Sequence, residues 1–282
     1  MTLVLSKCFK NDVRFVSKKI GDRVVSLNWK PESKYEKSLC GLKDGNGDWG
    51  NLYGDEWLII DADDQIVDVD EDKCIFNTGV ILFRGTAEEL ANSEFPAKFT
   101  NLNSQAAFYW AYRIGNKDLM INKIADSKYA YLWAINFCNH EIMMHKITDS
   151  EFAYAWAYNI GNCDIMINEI TESEWAYHWA SNIGNRDIMI NRITDSEWAY
   201  YWAVSLGDQD VMMHKITESE WAYQWAVSIG NHDIMMHKIT DSRDAYDWAS
   251  EIGNEDIMKE KIKELYWIGM WNDKFIDNKI ER

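Results

Sequence analysis

A 23-residue unit recurs through the second part of this chain without insertion or deletion. It is clearest from Thr194 to Ile216, T-D-S-E-W-A-Y-Y-W-A-V-S-L-G-D-Q-D-V-M-M-H-K-I. Its second tryptophan returns at Trp110, Trp133, Trp156, Trp179, Trp202, Trp225 and Trp248, and again at Trp271. Strict periodicity of this length marks a solenoid, in which each repeat buries its apolar face only against its neighbours. Twelve of the 15 tryptophans follow residue 105, so the repeat core is built on aromatic rings.

Each column of the repeat carries a local expectation. Thr148, Thr171, Thr194 and Thr217 have Glu151, Glu174, Glu197 and Glu220 three residues on, which predicts capping boxes at the start of a first helix. Trp221, Ala222, Trp225, Ala226 and Ile229 lie at helical spacing, as its buried stripe. Gly161, Gly184, Gly207, Gly230 and Gly253 are expected to end that helix in the left-handed conformation. Asn162, Asn185, Asn231 and Asn254, with Asp208 as the exception, are expected to cap a second, shorter helix. Asp164, Asp187, Asp210, Asp233 and Asp256 fall in its first turn. The pairs Ile188-Met189 and Ile234-Met235, with Ile193, Ile216 and Ile239, should complete the core. The degenerate last unit, Leu265 to Ile280, reads as a terminal cap. Units of one full helix plus one short or 3₁₀ helix resemble the leucine-rich-repeat-variant class of α-solenoid. The Trp/Tyr core departs from that family's Leu/Val core, so the resemblance implies the architecture and leaves the function open.

Residues 1–100 read differently. Short β-branched runs (Leu3 to Leu5, Val13 to Val16, Val24 to Leu27, Trp57 to Ile60, Ile66 to Val69, Gly79 to Phe83) alternate with turn residues, the pattern of an antiparallel β domain. Thr86 to Ser93 reads as a short helix with Thr86 and Glu89 forming a capping box. The fold class expected is therefore α+β: a small β-rich N-terminal domain, 1–100, followed by an α-solenoid of about eight 23-residue helical repeats, 101–282. Trp29 and Pro31, Cys40 to Leu42, Trp57 to Asp61 and Phe83 to Gly85 together resemble an uncharacterised small domain associated with phage and actinobacterial proteins. That resemblance implies a phage or prophage origin and no known activity. Lys43 stands where those relatives usually carry a histidine.

Chemistry is sparse. The run Asp61, Asp63, Asp64, Asp68, Asp70, Glu71 and Asp72 lacks the glycine of a tight calcium loop and reads as a solvated strand edge. Gly41 to Gly50 lacks the phosphate-loop pattern and reads as a hairpin loop. Cys40 has no nearby histidine and reads as structural. His145, His214 and His237 share a column but sit one repeat or more apart, too far to ligate one ion, so no metal and no cofactor are expected. The five scattered cysteines, the polar Met1 to Lys10 segment and the lack of a long apolar run fit a cytoplasmic protein with no membrane partner.

The formal net charge is −17, with −5 in residues 1–103 and −12 in the remainder. Such a balance disfavours direct nucleic-acid binding and favours a basic protein partner. The candidate partner-binding residues form a double acidic row at the start of the first helices: Asp149, Glu151, Glu172, Glu174, Asp195, Glu197, Glu218 and Glu220. A carboxylate row of this kind can mimic a nucleic-acid backbone. The function expected is a non-enzymatic intracellular protein-interaction scaffold, one form of which is a phage-encoded inhibitor of a host defence or nucleic-acid-handling protein. The alternative is an enzyme with its active site in the N-terminal domain and the solenoid as targeting module. Self-association through the ends of the solenoid is a third reading.

Overall fold

The computed structural model describes residues 2–10, 12, 14–15, 17–26, 39–63, 66–70 and 73–277. Val13, Val16, Leu27, Trp29 and Pro31 lie outside the described residues, as do Asp64, Glu71 and Asp72 of the acidic run. The architecture is α+β, a sheet followed by a solenoid-like succession of short helices. The chain divides into two compact units, Met1–Thr148 and Asp149–Arg282. The first holds the sheet and the first repeats.

Seven antiparallel strands make that sheet: β1 (Thr2–Cys8), β2 (Arg23–Val25), β3 (Leu39–Lys43), β4 (Glu56–Ala62), β5 (Ile66–Asp70), β6 (Lys73–Phe76) and β7 (Thr78–Gly85), in the order β2-β7-β4-β1-β3-β6-β5. β1 and β4 pair along their whole length, from Thr2 opposite Ala62 to Cys8 opposite Glu56. Val4, Leu58, Ile60, Phe76 and Ile81 form one buried core. Strand β3 occupies part of what reads in the sequence as a glycine-rich loop. Gly41 is needed there because a Cβ would come within 2.5 Å of the Val4 side chain and 2.6 Å of the Leu5 carbonyl. The ion pair between Arg84 and Glu56 spans 2.7 Å on β7 and β4, and the same guanidinium donates to the Phe15 and Lys18 carbonyls. Two short helices follow, α1 (Ala87–Ala91) and α2 (Phe95–Lys98). Thr86 and Glu89 form the expected capping box.

The first repeats supply α3 (Ser104–Arg113), α4 (Lys117–Met120), α5 (Ser127–Phe137) and α6 (His140–Met143). Trp49 is fully buried between Trp57 and Trp110, with ring centroids 5.8 and 6.0 Å away, and so joins the sheet to the first repeat.

The second unit continues with α7 (Ser150–Asn159), α8 (Cys163–Met166), α9 (Ser173–Asn182), α10 (Arg186–Met189), α11 (Ser196–Ser205), α12 (Gln209–Met212), α13 (Ser219–Ser228), α14 (His232–Met235), α15 (Ser242–Glu251), α16 (Glu255–Lys259) and α17 (Leu265–Trp271). The short helices α8, α10, α12 and α14 each pass into a three-residue 3₁₀ turn. The long helices α7, α9, α11, α13 and α15 pack in chain order. Their core is one Trp, two Ala, one Met and one Ile per repeat, as in Trp202, Ala199, Ala203, Met212 and Ile216. Small alanines let adjacent helices approach while the indoles fill the space between.

Several columns differ from expectation. The residue after each threonine is the N-cap: the Asp149 carboxylate accepts from the Glu151 and Phe152 N–H groups and that of Asp195 from Glu197 and Trp198, where the glutamate N–H was expected to donate to the threonine. Glu172 and Glu218 occupy the same position without a side-chain cap bond, being one methylene longer. The threonine N–H instead donates to a serine one repeat earlier: Thr171 to Ser150, Thr194 to Ser173 and Thr217 to Ser196, each at 2.9 Å. Those serines are buried, Ser196 completely, and they clasp successive repeats through a satisfied polar contact. Asn162, Asn185, Asp208, Asn231 and Asn254 are left-handed and make no cap bond with their side chains. At Asp208 the carboxylate accepts from the Trp202 indole at 3.1 Å, and Asn139 does the same for Trp133 at 3.4 Å. Trp221 and Ile229 are only half-buried, and Ile188 and Ile234 face solvent beside buried Met189 and Met235.

A cation column also recurs every 23 residues. Lys146 donates to the Ile121 and Ile124 carbonyls, Arg192 to Ile167 and Ile170, and Lys238 to Met213 and Ile216. Lys215 and Lys261 reach Ile193 and Ile239 at 2.7 and 2.8 Å. Burial lowers the Lys146 and Lys238 ammonium groups below the usual lysine range. These cations close the C-terminal carbonyls of the preceding repeat, so they do not neutralise surface carboxylates. Glu169 is the exception in the column.

One position is strained. Where five later repeats have glycine at positive φ, Cys138 adopts φ +67° and ψ −134°, a region that costs a residue with a Cβ on the order of 1–3 kcal/mol. Cys138→Gly should therefore raise the melting temperature, by an amount equivalent to about 1 kcal/mol or more. A lower melting temperature on thermal unfolding followed by circular dichroism would contradict this.

Candidate functional site: an acidic row and a cavity

The acidic row lies on the first turns of α7, α9, α11 and α13 and on the residues just before them. Asp149 and Asp195 are engaged as caps, and Glu172, Glu174, Glu218 and Glu220 extend into solvent. Glu151 is exposed and Glu197 half-buried. Among the described residues none of the eight forms an ion pair, whereas Arg243 and Asp247 of the same unit pair at 3.7 Å. The row is thus negative charge without internal compensation. Helix dipoles favour it locally, but like charges a repeat apart repel one another.

A second ladder runs beside it. The tyrosine of one repeat packs on the first aromatic of the next: Tyr154 on Trp175, Tyr177 on Trp198 and Tyr200 on Trp221, at 5.5, 5.4 and 5.4 Å between centroids. The Tyr154 hydroxyl meets Asn182 at 3.1 Å and that of Tyr200 meets Ser228 at 2.9 Å, again one repeat on. The ladder breaks once, because the residue due opposite Tyr223 is Asp244. It resumes with Tyr246 on Trp267 at 5.3 Å.

The missing ring leaves a cavity of about 480 Å³ at that rung. It gathers Glu218 and Glu220 from the predicted row with Asp241, Asp244 and Asp247 from α15 and the residue before it, and with Tyr223 and Gln224 from α13. Arg243 is the one cation in its lining. Burial first, then the charges of Asp241, Glu220 and Asp247, push the Asp244 carboxyl above the usual carboxylate range, although a hydrogen bond from Ser219 opposes them. Burial likewise raises Asp247, against the pull of Arg243. The Tyr223 hydroxyl is pushed up by burial and by its hydrogen bond with Glu251. The arrangement is suited to accept a cation beside an aromatic face.

The remaining sequence candidates have structural roles. The Trp49 indole N–H donates to the Gly45 carbonyl at 3.0 Å, and Asn46 bonds the backbone of Asn101 and Asn103, so the Gly41 to Gly50 segment folds onto its own unit. The Cys40 carbonyl accepts from Ser6 at 2.8 Å. Burial pushes the Cys8 thiol up to about 11, which keeps it protonated at neutral pH. Asp61 and Asp63 lie on β4 and just beyond it, and Asp68 and Asp70 on β5. Among the described residues, no group of three His, Cys, Asp or Glu side chains is placed to hold a metal ion, and no helix is long and apolar enough to cross a membrane. Comparison with family models, curated proteins and solved structures gave no match.

The cavity was missed in the sequence although its signal is there: Asp244 is the lone acid in a column otherwise aromatic from Tyr129 to Trp267. Replacing it tests the geometry. Asp244→Trp should raise the melting temperature at pH 7, by an amount equivalent to about 1 kcal/mol, by completing the ladder and removing one repelling charge. The pH dependence has a definite sign. A carboxyl raised on folding holds a proton that the unfolded chain releases, so its contribution is full below the ordinary carboxylate pKa and is lost as pH rises through the raised value. Acidification from pH 7 to about 4, the ordinary carboxylate range, should therefore stabilise the native chain more than Asp244→Trp; equal pH profiles would contradict the assignment.

Proposed function

We propose that this chain is a non-enzymatic interaction scaffold whose acidic repeat surface binds a basic protein, with an arginine or lysine side chain entering the Tyr223–Asp244 cavity. The observation that carries this reading is the collection of five carboxylates around one break in an otherwise continuous aromatic ladder. A guanidinium there would meet carboxylates on two sides and the Tyr223 ring on another, and it would relieve the repulsion that folding imposes. The uncompensated row leading to the cavity supplies long-range attraction and orientation for the same partner. Nucleic-acid-handling proteins, of host or defence origin, are the class whose basic grooves such a row suits.

The test uses the full chain and a fluorescent peptide of alternating arginine and serine. Native chain should bind it in a salt-dependent manner, and Asp244→Trp should weaken binding at least about tenfold. Because that variant is expected to be the more stable protein, its loss of binding cannot come from unfolding. Unchanged affinity would refute the cavity as the anchor.

A further inference from the structure

The short helices carry a further ladder, distinct from the acidic row and from the aromatic ladder. Met166, Met189, Met212, Met235 and Met258 are fully buried, and the residue before each is a β-branched aliphatic turned to solvent. Ile165, Ile188, Val211, Ile234 and Ile257 are 41–47% exposed. The residue before each of these is Asp164, Asp187, Asp210, Asp233 or Asp256, all exposed and, among the described residues, in no ion pair. Single exposed aliphatics need no explanation. An aligned column of them does, because it exposes apolar surface that neither packing nor solubility requires.

Neighbouring columns show what the repeat does not retain. One residue before the aspartates stand Cys163, Arg186, Gln209, His232 and Glu255. The first helices vary as Ala155, His178, Tyr201, Gln224 and Asp247. Against that drift, the acid–aliphatic pair holds in all five repeats of the second unit. The aspartate has a local reason in the helix dipole. The aliphatic packs only in part at the margin of the core, and the 41–47% of its surface left exposed has no such reason.

We propose that this ladder docks an amphipathic basic helix of a partner protein, independently of the Tyr223–Asp244 cavity. The occupant follows from charge and spacing. The aspartates demand lysine or arginine, and the aliphatics demand an apolar stripe between them. Packed helices stand about 8–10 Å apart, and seven residues of α-helix rise about 10.5 Å. A partner helix crossing the stack with leucines at heptad spacing therefore places one leucine on each rung, with flanking cations over the aspartates. This is the helix-on-groove mode of recognition with anchors repeated along one face.

The probe is a 21-residue helical peptide of leucine and lysine, roughly heptad-spaced, compared with a peptide of identical composition whose leucines are spaced every fifth residue. The full native chain should bind the heptad peptide at least about tenfold more tightly. Replacing three rungs together, Ile188→Ser, Val211→Ser and Ile234→Ser, should remove that preference while the circular dichroism spectrum stays native. Asp244→Trp should bind the heptad peptide as the native chain does, which separates this surface from the cavity. Equal affinity for the two peptides, or undiminished preference in the triple variant, would overturn the proposal.

Discussion

The structure depends on a tryptophan that no single repeat can bury. Each repeat of 23 residues offers one ten-residue helix and one of a single turn, too little to enclose an indole alone. Trp156, Trp179, Trp202, Trp225 and Trp248 are nonetheless fully buried, each within the stacked repeats. Stacking is therefore a condition for forming the repeat at all. The alanines set how closely the helices approach, and the serine clasp holds each helix start against the next without an unsatisfied donor.

That arrangement also explains the surface charge. Most repeats carry a lysine or arginine at the end of the short helix, and these cations are bound to backbone carbonyls of the preceding repeat. Their charge is used to terminate helices, not to pair with Asp or Glu. The acids remain on the outside, some as caps and others with no partner among the described residues. An acidic composition thus becomes a strongly negative surface, concentrated where Asp244 interrupts the aromatic ladder.

Much of the fold was legible because one period carried it. The tryptophan column, the glycine ends and the presence of a second, shorter helix follow from spacing, and the strand runs of β1, β4 and β7 follow from β-branched composition. Strands β3 and β6 were not legible. Gly41 reads as a loop residue until Val4 and Leu5 are seen against it, a long-range contact that local propensity does not record. The caps were misplaced by one residue because Thr and Asp both cap helices, and only the buried serine of the previous repeat decides between them. Ile188 looked like core beside Met189 because a four-residue helix is too short for periodicity to fix its face. Of the candidate site, Glu218 and Glu220 were legible as part of a row; the cavity that joins them to Asp244 and Asp247 needed the register between repeats.

Carboxyl titration by carbon NMR, with and without the arginine–serine peptide, tests the account most directly. Asp244 and Asp247 should titrate above the usual aspartate range in the free full chain and shift downward when the peptide is bound, as a cation in the cavity must make them do. Titration at ordinary values in the free protein, or no shift on saturation with peptide, would contradict the claim that this cavity is built for a basic side chain.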